Sequence, residues 1–181
     1  MSYLDIIANI LQVRQIMSSL AIAFSGPSGS GKTTLIVKVA NALKEKYSLA
    51  IVKHDPSDKA VFDKEGKDSW KFAQTGAEVV VASPTRTTLL SQREKSIDDI
   101  IKMLGKFDIL LVEGLKTLPL PRLSVFRNKL EEDYFPMSNA LAIDNSINLD
   151  DYDLPKHLKI LDLNNTNSIV EWILKNAKKV R

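Results

Sequence analysis

Gly26-Pro-Ser-Gly-Ser-Gly31-Lys32-Thr33 constrains this chain more than any other stretch. An apolar run, Leu20-Ala-Ile-Ala-Phe24, stops just before it. Behind it Leu35, Val39, Ala42 and Leu43 recur at helical spacing. Strand, glycine-rich turn and helix, in that order, are the context in which the pattern G-x-x-x-x-G-K-[ST] carries meaning. Its glycines let successive backbone N–H groups turn toward phosphate oxygens, and the helix that follows presents its positive end to them. The lysine reaches the β- and γ-phosphates as a point charge, and the threonine hydroxyl ligates Mg2+. At average residue usage a chance match in a chain of 181 residues arises roughly once in two hundred sequences. Gly26, Ser28, Gly29, Ser30, Gly31, Lys32, Thr33 and Thr34 are therefore expected to bind a nucleoside phosphate, with Thr33 on the metal.

The rest of the chain continues the alternation. Leu49-Ala-Ile-Val52 is a second apolar run, which completes one βαβ unit. Further strands are expected over 77–83, 85–90 (a hairpin partner), 109–112, 123–126, 140–143 and 158–163. Helices are expected over 68–75, from a Ser96 cap to Gly105, and from an Asn167 cap to about residue 178. Residues 3–17 carry a broad apolar face at helical spacing, and so read as a helical extension over 1–19 that packs on its own domain or on a partner. With no internal repeat or linker, the expectation is a single α/β domain over 1–181 of the P-loop NTPase type. Its central sheet is mostly parallel with helices on both faces.

Composition narrows the function. Hydrophobic residues make up 44% and charged residues 26%, the balance of a globular domain rather than a disordered or fibrous chain. There is no cysteine, which excludes a disulfide framework, a Cys-ligated metal centre and a Cys nucleophile together. The net charge of +3 is spread along the chain, apart from the basic cluster at 175–181. No arginine stripe is interleaved with aromatics, so nucleic acid is not an expected partner. No run approaches the roughly 18 apolar residues of a membrane span. The start carries Asp5 and no basic n-region, so it is not read as a secretory signal, and a cytoplasmic setting is expected.

Acids at strand ends complete the site. Glu113 follows the run 109–112 where a Walker-B acid would stand, with Gly114 behind it to allow close approach. Asp55 follows the second strand in Lys53-His54-Asp55, although Asp before Pro56 is also ordinary turn chemistry. Lys32, Glu113 and Asp55 are the candidate catalytic groups, and Thr33, Asp55 and Glu113 the candidate metal ligands. His54 reads either as a general base or ligand or as a solvated loop histidine. Charges of alternating sign crowd residues 53–71, as in a solvated loop or in one that faces an active site or a partner.

With those residues in view the chain resembles the MobB family, the molybdopterin-guanine dinucleotide biosynthesis proteins B. The resemblance rests on GPSGSGKTT at 26–34, KHD at 53–55, DKEGKDSWKF at 63–72, TGA at 75–77, VEGLK at 112–116 and PLPRLSVFR at 119–127. It implies a GTP-binding protein with slow GTPase activity at most. It also implies a homodimer that assists a MobA-type guanylyltransferase joining GMP to molybdopterin, and it leaves open whether molybdopterin docks here. By position, Asp55 and Glu113 fall on the family's metal-side acids. Lys53, His54, Asp63, Gly66, Lys67, Asp68 and Ser69 fall on its signature loop. The chain departs from the pattern where Pro56-Ser57 replaces further histidines and where residues precede the first strand. No Asn/Thr-Lys-x-Asp run is present to read guanine, and Asp144 is the candidate to accept from the base's N1–H and N2–H2 groups.

Two alternatives stay open. A small-molecule kinase using ATP on the same scaffold would need arginines at the transferring phosphate, with Arg86, Arg93, Arg122 and Arg127 as candidates. A metallochaperone GTPase would need soft or imidazole ligands, and the histidines are only His54 and His157.

Overall fold

Unbroken apolar runs suit strands that are covered on both faces, and such runs form the middle of the sheet. In chain order the elements are β1 (Leu20–Ser25), α1 (Lys32–Leu43), β2 (Leu49–Lys53), α2 (Asp68–Ala73), β3 (Val79–Ala82), β4 (Thr87–Leu90) and α3 (Ile97–Met103). They continue with β5 (Ile109–Glu113), β6 (Arg122–Phe126), β7 (Ala140–Ile143), β8 (Lys159–Asp162), α4 (Thr166–Asn176) and β9 (Lys178–Lys179). Short 3-10 helices cover Glu132–Met137 and Leu149–Asp151. This computed structural model describes residues 19–180, and the helix expected over 3–17 lies outside them. The chain divides into two compact units, one ending at His54 and resuming at Lys106, the other spanning Asp55–Gly105.

The first unit holds a sheet of order β2-β5-β1-β6-β7-β8, parallel at every step along that path. The expected mostly parallel α/β sheet is thus observed. Its register keeps the carboxyl ends level, with Glu113 opposite both Phe24 and Lys53, and Ile143 opposite both Phe126 and Asp162.

One face buries Ile22, Phe24, Leu111 and Val125 under Leu35 and Val39 of α1 and Ile169 and Ile173 of α4. Both long helices therefore lie on that face. Beside β6 and β7 the opposite face is closed by the Glu132–Met137 helix, whose Tyr134 and Phe135 pack on Phe126, Leu141 and Ile143. The Tyr134 ring stands edge-on to Phe126 at 5.5 Å.

β6 engages β1 only from Ala23 onward. β9 takes the edge that this leaves, running antiparallel with Lys179 opposite Leu20 and Lys178 opposite Ala21. The final helix accordingly stops at Asn176 rather than near 178, because the residues beyond it are drawn into the sheet. Its cap is Asn165, not Asn167: the Asn165 side chain accepts from the Ser168 N–H at 3.1 Å, and Thr166 is already helical.

The second unit contains the expected hairpin, β3 against β4, with Val79 opposite Leu90 and Ala82 opposite Thr87. Its α3 begins at the expected cap, where the Ser96 hydroxyl accepts from the Asp99 N–H at 3.2 Å. Glu78 accepts from Ser91 and Lys95. The Ser91 hydroxyl, more than the lysine, holds its carboxyl below the ordinary range. Among the described residues no helix is long and apolar enough to cross a membrane.

The position of the cap predicts that Asn165→Ala lowers stability by about 1 kcal/mol. Asn167→Ala on the exposed surface stays within about 0.5 kcal/mol, and urea unfolding of the two variants checks the contrast.

Candidate functional site

Because the sheet is parallel, the segments after β1, β2, β5, β6 and β7 all emerge at one edge, where ligands of open α/β sheets bind. The loop after β1 begins at Gly26, with φ of 132°. A Cβ there would stand 2.3 Å from the Val125 carbonyl oxygen, so no other residue fits without moving β6. The loop ends at Gly31, whose left-handed φ of 94° turns the chain into α1. That helix has no side-chain cap and no acid in its first turn, which leaves its positive end uncompensated.

The loop's side chains match this backbone. Ser30 is 4% exposed, and its Oγ has no hydrogen-bond partner among the described residues. A buried hydroxyl without a partner is unfavourable, and a phosphate oxygen would satisfy it. The Lys32 ammonium donates to the Gly26 and Pro27 carbonyls at 2.9 and 2.7 Å. Burial pushes its pKa down, Glu113 opposes that shift, and Lys53 and Lys116 add to it. Thr33 and Thr34, on the first turn of α1, are exposed.

Glu113 closes β5 as expected. Its carbonyl accepts from the His54 N–H at 3.0 Å, and the next N–H, of Gly114, donates to Phe24 O at 2.9 Å. Gly114 does permit a close approach, and the group that approaches is His54: a Cβ on Gly114 would lie 3.1 Å from the His54 Cβ. Among the described residues no three His, Asp or Glu side chains gather into a metal cage. A cation held by Thr33 and Glu113 would need phosphate oxygens to complete its shell, as Mg2+ usually does.

Asp144 follows β7. Its Oδ1 accepts from the Ser146 N–H at 3.1 Å and from the Ser146 hydroxyl, and its Oδ2 stands 3.3 Å from the Nε of Arg127. The Ser146 hydroxyl is the main reason its carboxyl titrates below the ordinary range, with Arg127 a smaller one. A cavity of about 250 Å3 opens beside it between the ends of β7 and β8.

Asp55 opens the second unit. Its Oδ2 accepts from the backbone N–H groups of Lys59 and Ala60 at 2.8 and 2.7 Å, so the carboxylate organises the turn that follows it. In the same unit Asp63 accepts from the Ser69 hydroxyl at 3.0 Å and the Lys64 N–H at 2.9 Å. Gly66 is left-handed there, Lys67 precedes α2 and Asp68 begins it.

Arg122 has a role that the sequence reading missed. It is 1% exposed, and its Nη1 donates to Ser25 Oγ at 2.7 Å and to Gly114 O at 2.9 Å. Its Nη2 donates to Leu115 O at 3.0 Å. One guanidinium thus ties the residue before the glycine loop to the turn after Glu113, where Leu115 takes a positive φ of 44°. A lone arginine inside the run Leu120-Pro-Arg-Leu-Ser-Val-Phe126 was the available signal. Of the other arginines weighed for phosphate, Arg93 pairs with Glu78 in the second unit at 3.7 Å. Arg86 closes the hairpin turn there, its carbonyl accepting from the Ser83 N–H at 2.8 Å. Arg127, in the first unit, stands beside the loop, lining a cavity of about 290 Å3 with Pro27–Ser30.

A glycine loop between strand and helix, with an acid closing the adjacent parallel strand, defines an α/β protein of the P-loop NTPase type. The chain belongs to the MobB family: the model for molybdopterin guanine dinucleotide synthesis protein B matches residues 21–145. It is 30% identical over 158 residues to the molybdopterin-guanine dinucleotide biosynthesis adapter protein of Haemophilus influenzae, covering 84% of this chain and 86% of that one. With the adapter protein of Escherichia coli it shares 31% over 168 residues, covering 87% and 93%. A crystal structure of molybdopterin-guanine biosynthesis protein B aligns with a TM-score of 0.67 and 27% identity, covering 86% of this chain and 99% of that one. The family expected from the motifs is the family found.

Two outcomes follow from the geometry. Gly29→Ala meets nothing within 4 Å and bears only the backbone cost of a left-handed alanine, about 1 kcal/mol. Gly26→Ala costs more because a carbonyl must move. Arg122→Met strands Ser25 Oγ and the carbonyls of residues 114 and 115, and is expected to cost about 3 kcal/mol in urea unfolding.

Proposed function

We propose that this chain binds Mg–GTP on the loop 26–34 and serves as the accessory partner of a MobA-type guanylyltransferase in forming molybdopterin guanine dinucleotide. The observation that carries the nucleotide reading is the loop itself. It combines left-handed glycines, an uncapped α1 free of acids in its first turn, and the partnerless buried hydroxyl of Ser30.

Lys32 would exchange the Gly26 and Pro27 carbonyls for phosphate oxygens, and its partial desolvation strengthens that contact. Thr33 and Glu113 would hold Mg2+, which supplies charge neutralisation at the phosphates when bound. Asp55 already serves the N–H groups of its own turn, so the metal reading rests on Thr33 and Glu113. Glu113, next to His54 and Gly114 at the strand end, would also orient a water, and hydrolysis is proposed to be slow and incidental. Preference for guanine, the guanylyltransferase partner, a homodimer and a cytoplasmic setting enter through the family. The likeness to adapter proteins over most of both chains supports them.

Calorimetric titration with Mg–GTP and Mg–ATP tests the reading. Wild type is expected to prefer GTP, and Lys32→Ala to bind roughly a hundredfold more weakly with its unfolding midpoint nearly unchanged. Undiminished binding by Lys32→Ala would sink the site, and a preference for ATP would replace the GTP reading with the kinase one.

A further inference from the structure

The positive charge at this edge does not end with Lys32. Arg127 is the first residue after β6, and β6 pairs with β1 in a register that sets Ser124 opposite Ser25. The arginine therefore emerges beside the glycine loop. A Cβ on Gly31 would lie 3.4 Å from its Nε and 3.6 Å from its Cζ, so the guanidinium stands within van der Waals reach of the residue that ends the loop. It borders the cavity lined by Pro27–Ser30 on one side, and on the other a cleft lined by Thr34 and Lys38 of α1. Ser30, which shares the first cavity, carries the buried hydroxyl without a partner.

The way Arg127 is held matters as much as where it stands. Asp144 meets only its Nε, at 3.3 Å. Among the described residues no hydrogen bond engages the two terminal nitrogens, which carry most of the guanidinium's donors. Asp144 is itself fixed by Ser146, and the Ser146 Oγ accepts from the N–H of Asn128 at 2.7 Å. Arg127, Asp144, Ser146 and Asn128 thus close a ring between the ends of β6 and β7. The arginine side chain is 44% exposed and the aspartate 18%, and an ion pair that open to solvent adds little to folding stability. Its effect is geometric: it removes the freedom of a long side chain before a ligand arrives.

We propose that Arg127 is a second phosphate ligand of the loop site and that Asp144 is the residue that positions it. This rests on the reading of the loop as a nucleotide site and extends it to the phosphate chain. A carboxylate that reads guanine presents both oxygens to the N1–H and N2–H2 groups. Here Oδ1 serves Ser146 and Oδ2 serves Arg127, so the two roles for Asp144 make different predictions.

The experiment is calorimetry on the full chain with Mg–GTP, Mg–XTP and inorganic tripolyphosphate, using wild type, Arg127→Met, Arg127→Lys, Asp144→Asn and the double variant Arg127→Met/Asp144→Asn. Arg127→Met is expected to weaken GTP and tripolyphosphate alike, by roughly ten- to hundredfold, with the melting temperature little changed. Arg127→Lys restores part of the loss, since it keeps the charge without the fork. Asp144→Asn weakens both ligands less than Arg127→Met does, and adds nothing in the double variant. Full tripolyphosphate affinity in Arg127→Met would overturn the inference alone. A switch of Asp144→Asn from GTP to XTP at unchanged tripolyphosphate affinity would make Asp144 a base reader and overturn its positioning role. Wild type that binds neither ligand would overturn the nucleotide reading and this inference with it.

Discussion

Parallel strands cannot be joined by a tight turn, so each crossover returns the chain to the same starting edge of the sheet. That constraint organises the whole first unit. β1 lies between β5 and β6, every pairing along the path is parallel, and the register keeps Phe24, Lys53 and Glu113 level. The glycine loop, His54, Glu113, Arg127 and Asp144 share one edge because the strands that deliver them all end there. The apolar content of those strands is what makes the constraint binding: Ala21 to Phe24 and Ile109 to Val112 are buried, and slipping any one by a residue would exchange its faces.

Against that apolar middle, Arg122 is the costly exception. A fully buried guanidinium loses its hydration and finds no carboxylate among its described partners, only a hydroxyl and backbone carbonyls. Those carbonyls belong to a turn that contains a left-handed leucine, which standard secondary structure would leave unsatisfied. The arginine and the turn each satisfy what the other leaves open. Replacing either one exposes the cost of both, and a buried charge network of this kind is sensitive to losing a single member.

Much of the fold was legible because the signals were local. Strand runs around 20–24, 109–112 and 140–143, the glycine loop, the Ser96 cap and the acid at 113 each depend on a few adjacent residues. What escaped depended on partners distant in sequence. β9 exists because β6 leaves part of the β1 edge open, and nothing in Lys178-Lys179 announces it. Asn165 rather than Asn167 caps α4 because the preceding strand sets where the helix can start, and both asparagines satisfy the local rule. Lys53-His54-Asp55-Pro56 is compatible with a metal-side acid or a turn acid, and the Asp55 carboxylate accepts from Lys59 and Ala60 within the turn that follows it. The purpose of Gly114 was half legible: the need for a close approach showed, but not that His54 makes it. Arg122 is a candidate for phosphate when a kinase's need for arginines is the guide, whereas its neighbours in sequence are the apolar residues of a core strand.

β9 has a consequence for the chain's behaviour toward other copies of itself and toward other strands. It is only Lys178 and Lys179, yet it pairs antiparallel alongside Leu20 and Ala21 on the side of β1 away from β5, where the N–H of Val180 adds a bond to Ser19 O at 2.8 Å. Without it the start of a buried, highly apolar strand would offer open hydrogen-bonding groups on that side, the kind of template that invites strand addition and aggregation. The plug is made of exposed lysines, so it covers a sticky edge with a segment that like charges discourage from pairing further. β9 thus acts as a guard for the strand that leads into the glycine loop.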